Sequence, residues 1–214
     1  MYLSRLTLNP RNRGVLRDVG SPYELHRTLL RGFPDREAGG PGRVLFRLET
    51  RQDEGPPIVL AQSDKEPDWS SLVKADYTNA ETTPIRFSSD STDGDPHAVP
   101  IPIGRRFRFR LLANPTVKRE GKRHGLFRDQ DQIDWLRRKG DSGGFSIETV
   151  RADPVGRVSS RKGGSTTHHH AVRFEGVLQV TDPTEFIASI EAGIGSAKAF
   201  GFGLLSVAPA GGSP

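Results

Sequence analysis

The chain has 214 residues, with 31 Lys plus Arg against 26 Asp plus Glu, for a net charge of +5. It contains no cysteine, which excludes disulfides, thiolate zinc sites and cysteine-ligated iron–sulfur clusters. No apolar run reaches membrane length and no signal-peptide pattern opens the chain, so a soluble cytoplasmic protein is expected. The cations are mostly Arg, whose guanidinium forks onto phosphates and stacks on bases, so the charge leans toward nucleic acid.

Residues 1–9 (MYLSRLTLN) read as a first strand with Leu3, Leu6 and Leu8 as candidate core residues; Pro10 ends it because it has no N–H for a ladder. Residues 11–20 are basic and read as a loop. Ser21-Pro22-Tyr23-Glu24 is a helix start, with Ser21 as cap, Pro22 in the first turn and Glu24 completing a capping box. The helix should run to about Arg31. Leu25 and Leu29 form its buried stripe, while Tyr23, His26, Arg27 and Leu30 share another face. Tyr, His and Arg near a helix N-terminus suit a phosphate, because free N–H groups and the dipole favour anions there. A solvated His beside an amphipathic Tyr is the plainer alternative.

Val44, Phe46 and Leu48 alternate in a second strand, Gly55-Pro56-Pro57 turns, and residues 58–63 (IVLAQS) return as its hairpin partner. Pro67-Asp68-Trp69-Ser70 opens a short helix with Trp69 and Leu72 inward. Residues 84–87 (PIRF) supply a weak fourth strand. The order is β-α-β-β-α-β, a ferredoxin-like arrangement. The Ser/Asp/Gly-rich residues 88–97 then read as a linker.

Residues 103–113 (IGRRFRFRLLA) form a strand with Phe107, Phe109 and Leu111 on one face and Arg106, Arg108 and Arg110 on the other. Such a ladder suits a polyanion, or is an ordinary solvated face; three in-register arginines repel unless something neutralises them. Residues 116–124 (TVKREGKRH) read as a basic loop. Residues 130–139 read as a helix with Ile133, Trp135 and Leu136 inward and Gly140 at its C-cap. Residues 145–150 and 155–159 read as a hairpin or bulged pair, followed by a basic turn with Arg157, Arg161 and Lys162.

His168, His169 and His170 suggest metal, but alternate strand residues point to opposite faces, so an incidental polar run is the better reading. Val172, Phe174, Gly176, Leu178 and Val180 give the clearest alternation in the chain. Asp182-Pro183-Thr184-Glu185 starts a last helix that buries Phe186, Ile187 and Ile190 and ends at Gly193. Gly193, Gly195, Gly201 and Gly203 then crowd a stretch whose only charge is Lys198. It reads as a turn entering the final strand, or as a cradle of N–H groups for phosphate. It is not a Walker loop, since no Gly-Lys-Ser/Thr follows at the required spacing.

The second half thus repeats β-α-β-β-α-β. The expected fold class is α+β, with two tandem ferredoxin-like (βαββαβ, RRM-like) domains packed side by side. Residues 1–90 form the first domain, 91–100 the linker and 101–214 the second.

Several blocks taken together carry a family resemblance: MYLSRL, SPYELHRTL, VLAQS followed by PDW, FRFRLLANPT, QIDWL, FEGVLQV and GIGSAKAFGFGLLSVAP. In this order, over nearly the whole chain, they resemble the CasE-type CRISPR-associated endoribonucleases, the repeat-cutting subunits of type I-E Cascade. The resemblance implies two ferredoxin-like domains and cleavage of precursor CRISPR RNA beside a repeat stem-loop, with no metal or other cofactor. It places the family's catalytic His and Tyr on His26 and Tyr23. It assigns the glycine-rich loop, with Gly193, Gly195 and Lys198, and a basic hairpin, with Arg157, Arg161 and Lys162, to RNA. Arg27, Arg106, Arg108 and Arg110 are further candidate RNA contacts. The implied partners are the repeat stem-loop RNA and other Cascade subunits, with no membrane and a monomer when free. Two rival readings are a non-catalytic RNA-binding module with two RRM-like domains, and a small hydrolase on a ferredoxin-like domain. The first lacks a clear Lys-Gly-Phe-Gly-Phe-Val type stacking motif; the second would not need so many scattered arginines.

Overall fold

A computed structural model describes residues 1–49, 55–89, 98–162 and 165–211, apart from the side chains at 36, 160–162 and 165–167. By their contacts the residues group into two compact units. The first comprises Met1–Ile85, Ser159–Thr167 and Lys198–Gly201; the second comprises Arg86–Val158, His168–Ala197 and Phe202–Pro214.

The first unit opens with β1 (Tyr2–Leu8), then helices α1 (Arg13–Val19) and α2 (Pro22–Leu30). Strands β2 (Val44–Glu49) and β3 (Ile58–Ser63), helix α3 (Ser70–Lys74) and strand β4 (Thr78–Pro84) follow. The antiparallel sheet has the order β2-β3-β1-β4, the split βαβ arrangement of a ferredoxin-like unit. Its core gathers Leu6 and Leu8 of β1, Val44 and Phe46 of β2, Leu25 and Leu29 of α2, and Trp69 and Leu72 at α3. Truncating a core leucine such as Leu25 or Leu29 costs about 2–5 kcal/mol. Trp69 donates its indole N–H to Ser4 Oγ at 3.0 Å, so burying the ring leaves no unmet donor.

Three expectations for this unit are corrected. The basic segment expected to be a loop contains α1. Asn12 caps it by accepting from the Gly14 N–H at 2.8 Å, and Val15 and Asp18 are buried. Ser21 has the extended backbone of an N-cap, but its side chain makes no capping hydrogen bond, so the expected capping box is absent and Pro22 alone marks the first turn. The fourth strand is Thr78–Pro84, not residues 84–87. Its mostly exposed polar side chains hide it from hydrophobic alternation, and its place at the sheet edge permits them.

Arg86–Ser88 instead forms β5 and pairs in parallel with β6 (Ala98–Pro100) in the second unit. Most of the expected linker, residues 90–97, lies outside the described residues. Strand β7 (Arg106–Ala113) precedes a two-stranded hairpin of β8 (Thr116–Arg119) and β9 (Lys122–Gly125). The segment expected to be a basic loop is therefore a hairpin. Helix α4 (Asp129–Asp141), strands β10 (Phe145–Lys162) and β11 (Ser165–Val180), helix α5 (Pro183–Ala192) and strand β12 (Leu205–Pro209) follow, residues 159–162 of β10 and 165–167 of β11 being grouped with the first unit. The sheet order β10-β11-β7-β12 repeats that of the first unit. Phe107, Phe109 and Leu111 are buried while Arg106, Arg108 and Arg110 are exposed, as the alternation predicts.

Two more expectations change here. The two short strands expected in 145–159 are one long strand, the first arm of the β10–β11 hairpin. Gly140 lies inside α4, not at its cap, which is Ser142. A Cβ on Gly140 would fall 2.5 Å from the Phe145 carbonyl oxygen, so that glycine serves close approach of the backbone. The cap of α5 is as expected: Asp182 accepts from the Glu185 N–H at 3.1 Å.

Candidate active site on helix α2

Helix α2 is anchored from beneath. Leu25 and Leu29 are fully buried, and Thr28 beside them is 5% exposed. Thr28 Oγ1 donates to Asp18 Oδ2 at 2.6 Å, and Tyr77 Oη donates to the same oxygen at 2.9 Å. Asp18 is itself wholly buried, with Arg17 Nε on its other oxygen at 2.7 Å. This carboxylate of α1 therefore ties α2 to the start of β4. Burial, then the hydrogen bond and charge of Asp18, hold the Tyr77 phenol well above its ordinary value.

On its other side α2 presents Tyr23 and His26, one turn apart and both half-buried. The His26 imidazole stacks on Phe46, with ring centroids 5.8 Å apart and planes 24° apart. Burial pushes His26 below its ordinary value. The Tyr23 ring meets Phe200 at 6.2 Å. Phe200 ends a 3₁₀ turn, Lys198–Phe200, so Lys198 starts the same turn. Gly201 follows with φ +84°, and a Cβ there would stand 3.3 Å from Phe46 Cε2. The glycine-rich stretch thus delivers Phe200 to Tyr23 and closes over the ring that backs His26. Arg27 is exposed and donates to both Glu24 carboxylate oxygens at 3.2–3.3 Å.

The other predicted residues are distributed as follows. Gly193 caps α5, and Gly195 lies against the Trp135 indole. Arg106 donates to Glu148 at 2.8 Å and Arg110 pairs with Glu175, so two of the three ladder arginines have acidic partners. Arg108, between them, has none among the described residues. Arg151 and Arg173 extend the same network through Asp153 and Glu175. Arg157 is exposed on β10, and the side chains of Arg161 and Lys162 lie outside the described residues.

The three histidines scatter. His169 meets Asn114 at 3.2 Å and the edge of Phe202, while His170 meets Gln132 at 3.3 Å and packs on Phe127. No group of three or more His, Asp or Glu side chains among the described residues is placed to hold a metal ion.

Sequence reasoning missed Phe46 and Phe200 as site residues. Phe46 looks like any inward strand residue, and the signal for Phe200 was only its place between glycines. The buried Asp18–Thr28–Tyr77 cluster gave no signal, because α1 itself was unseen.

A family model described as "CRISPR associated protein" matches residues 1–209. The chain is 36% identical over 223 residues to the CRISPR-associated endoribonuclease Cse3 of Thermus thermophilus, across 98% of this chain and 100% of that one. It is 30% identical over 227 residues to the CRISPR system Cascade subunit CasE of Escherichia coli K12, with the same coverage. The solved structure of a CRISPR endoribonuclease Cse3 bound to a 19-nucleotide RNA superposes with a TM-score of 0.84 at 36% identity, across 98% of this chain and 100% of that one.

Proposed function

The chain belongs to the Cse3/CasE family of CRISPR-associated endoribonucleases, and from that premise we propose that it cuts precursor CRISPR RNA beside the repeat stem-loop through Tyr23 and His26. The observation that carries the reading is the seating of these two side chains. They share one face of α2, one turn apart, each set against an aromatic ring that limits where it can point.

RNA brings its own nucleophile. The 2′-oxygen attacks the adjacent phosphorus, the bond from phosphorus to the 5′-oxygen breaks, and a 2′,3′-cyclic phosphate and a 5′-hydroxyl result. The protein must align the attack, move the proton off the 2′-hydroxyl and supply one to the leaving oxygen. We assign His26 to protonating the 5′-oxygen and Tyr23 to holding the phosphate or the attacking hydroxyl, whose proton leaves to solvent water. Burial alone disfavours the imidazolium, but a phosphodiester beside it favours the charged form, so substrate binding itself charges the acid. Arg27 supplies an electrostatic partner for the phosphate when it exchanges Glu24 for substrate.

Duplex RNA is recognised mostly through shape, phosphates and 2′-hydroxyls. The reading gives that work to Arg106, Arg108, Arg110, Arg157, Arg161 and Lys162, with Gly193, Gly195 and Lys198 presenting the glycine-rich loop to the backbone. In chain order it assigns 1–90 to the domain bearing the catalytic helix, 91–100 to the linker and 101–214 to the domain bearing the hairpin and loop. It places the protein in the cytoplasm, a monomer when free that joins other Cascade subunits with its product RNA.

The test uses cognate repeat RNA in EDTA, beside the same RNA with 2′-deoxyribose at the cut site. Cleavage of the first and not of the second is expected. RNA bound by the protein but left intact would instead favour a non-catalytic binding module.

A further inference from the structure

Two of the three ladder arginines that attract attention in the sequence are neutralised within the second unit, Arg106 by Glu148 and Arg110 by Glu175. The β8–β9 hairpin is not. Its register sets Lys118 directly opposite Arg123, and Arg119 directly opposite Lys122. One like-charge pair occupies each face, since successive strand residues point to opposite sides. All four cations are exposed, and among the described residues none has an ion-pair or hydrogen-bond partner. The hairpin's one acidic residue, Glu120, sits in the two-residue turn. It takes φ +49° and Gly121 takes φ +77°, the two positive values that a tight primed turn demands.

Like charges directly opposite on a strand pair destabilise it. This hairpin carries two such pairs, and among the described residues its single carboxylate, Glu120, pairs with none of the four cations. Elsewhere on the same unit the exposed Arg106, Arg110 and Arg151 are each matched with a carboxylate. A surface built this way is complementary to a partner with closely spaced negative charges on a ribbon that both faces can meet. A nucleic-acid backbone fits, with one charge per nucleotide, and its binding releases counterions that a single carboxylate would not hold.

From this we infer that the β8–β9 hairpin is a separate backbone-gripping element for RNA. Lys118 and Arg123 on one face and Arg119 and Lys122 on the other contact phosphates without reading bases. The inference rests on the RNA-cutting reading above but invokes none of the residues assigned there.

The test compares the wild type with Lys118→Gln/Arg119→Gln/Lys122→Gln/Arg123→Gln, and with the two cross-strand pair variants, Lys118→Gln/Arg123→Gln and Arg119→Gln/Lys122→Gln. Affinity for cognate repeat RNA and for an unrelated RNA of equal length is measured across a salt series. The quadruple variant is expected to bind both RNAs about 10- to 50-fold more weakly at low salt. The magnitude of its log–log salt slope should fall by about 1–2, the signature of lost phosphate contacts. Each pair variant should lose part of this while keeping the wild-type melting temperature. Single-turnover cleavage by enzyme saturated with RNA should stay within about twofold.

Unchanged affinity and slope in all three variants, with a wild type that binds, would overturn the inference and leave the cutting reading intact. So would loss confined to variants that no longer melt like the wild type. Unchanged RNA affinity with lost co-purification of other Cascade subunits would likewise overturn it, and would make the hairpin a protein contact. A wild type that binds no RNA at all would overturn the function reading itself.

Discussion

Thr28 Oγ1 donates a 2.6 Å hydrogen bond to Asp18 Oδ2, joining two helices through one fully buried carboxylate. Thr28 lies between His26 and Leu29 on α2, so the bond fixes the height and rotation of the helix that carries the candidate catalytic pair. Replacing Asp18 by Ala strands the Thr28 and Tyr77 hydroxyls without their acceptor. Each stranded donor costs about 1–3 kcal/mol. A melting temperature lower by about 6–12 °C is expected. Asp18→Asn keeps the shape and one acceptor, and should recover part of the loss.

The same cluster predicts an alkaline limb. The folded state holds the Tyr77 phenol above its ordinary value, which the unfolded chain regains at about 10. The unfolded chain therefore releases its proton first as pH rises past that value, and folding stability falls from there upward. Melting temperatures taken across pH 9 to 11 should show this decline in the wild type and a shallower one in Tyr77→Phe.

His26→Ala should lower the single-turnover cleavage rate by about a hundred- to ten-thousand-fold while RNA affinity stays within a few-fold. In the free enzyme burial holds His26 below its ordinary value. An acid of that kind is scarcer at neutral pH, so kcat/KM should fall as pH rises from below 6.5, the ordinary value. In kcat, which reports the RNA-bound enzyme, the same limb should move to higher pH because the phosphate favours the imidazolium. A rate that instead climbs to a plateau with pH would make His26 the base.

Gly201→Ala tests whether the loop seats the site. Its φ of +84° is unfavourable for any residue with a Cβ, and that Cβ would press on Phe46, against which His26 stacks. A stability loss of about 1–2 kcal/mol is expected from the backbone alone. Cleavage at saturating RNA should slow by about tenfold or more through misplacement of the imidazole. A variant that cuts at the wild-type rate would reduce the loop to a connection.

Glu175→Gln tests the ladder. The carboxylate engages Arg110, Arg151 and Arg173, so amidation removes a negative charge and releases cations toward any polyanion. RNA affinity at low salt should rise about three- to tenfold if the sheet face meets RNA. No change would assign the network to holding β7, β10 and β11 together.

Much of the fold was legible, and for a reason. Strands β1, β7 and β11 bury one face against helices and leave the other more open, so alternation marked Leu6 and Leu8, Phe107 and Phe109, and Val172, Phe174 and Leu178. The pair Tyr23 and His26 was legible as helical spacing. What escaped lacked a hydrophobic signature. Strand β4 is a polar edge, the β8–β9 hairpin is mostly charged and exposed, and α1 announces itself only through Asn12 and Val15. The rings Phe46 and Phe200 were visible as residues but not as neighbours of the pair, because that proximity is created by the fold and by no local spacing. Glu148 and Glu175 carry no local signal of their arginine partners, because only strand pairing sets them beside Arg106 and Arg110.

The Tyr23–Phe200 contact joins the start of the chain to its far end within one compact unit. A ribosome delivers α2 early and the Lys198–Phe200 turn long afterward, while domains tend to fold as they emerge. The nascent helix therefore forms with Tyr23 facing water and with no residue-201 backbone over Phe46. A truncated translation product that stops short of residue 198 carries both candidate catalytic side chains and lacks the wall that orients them. The wall around the candidate pair thus arrives with residues 198–201, long after the helix that carries the pair.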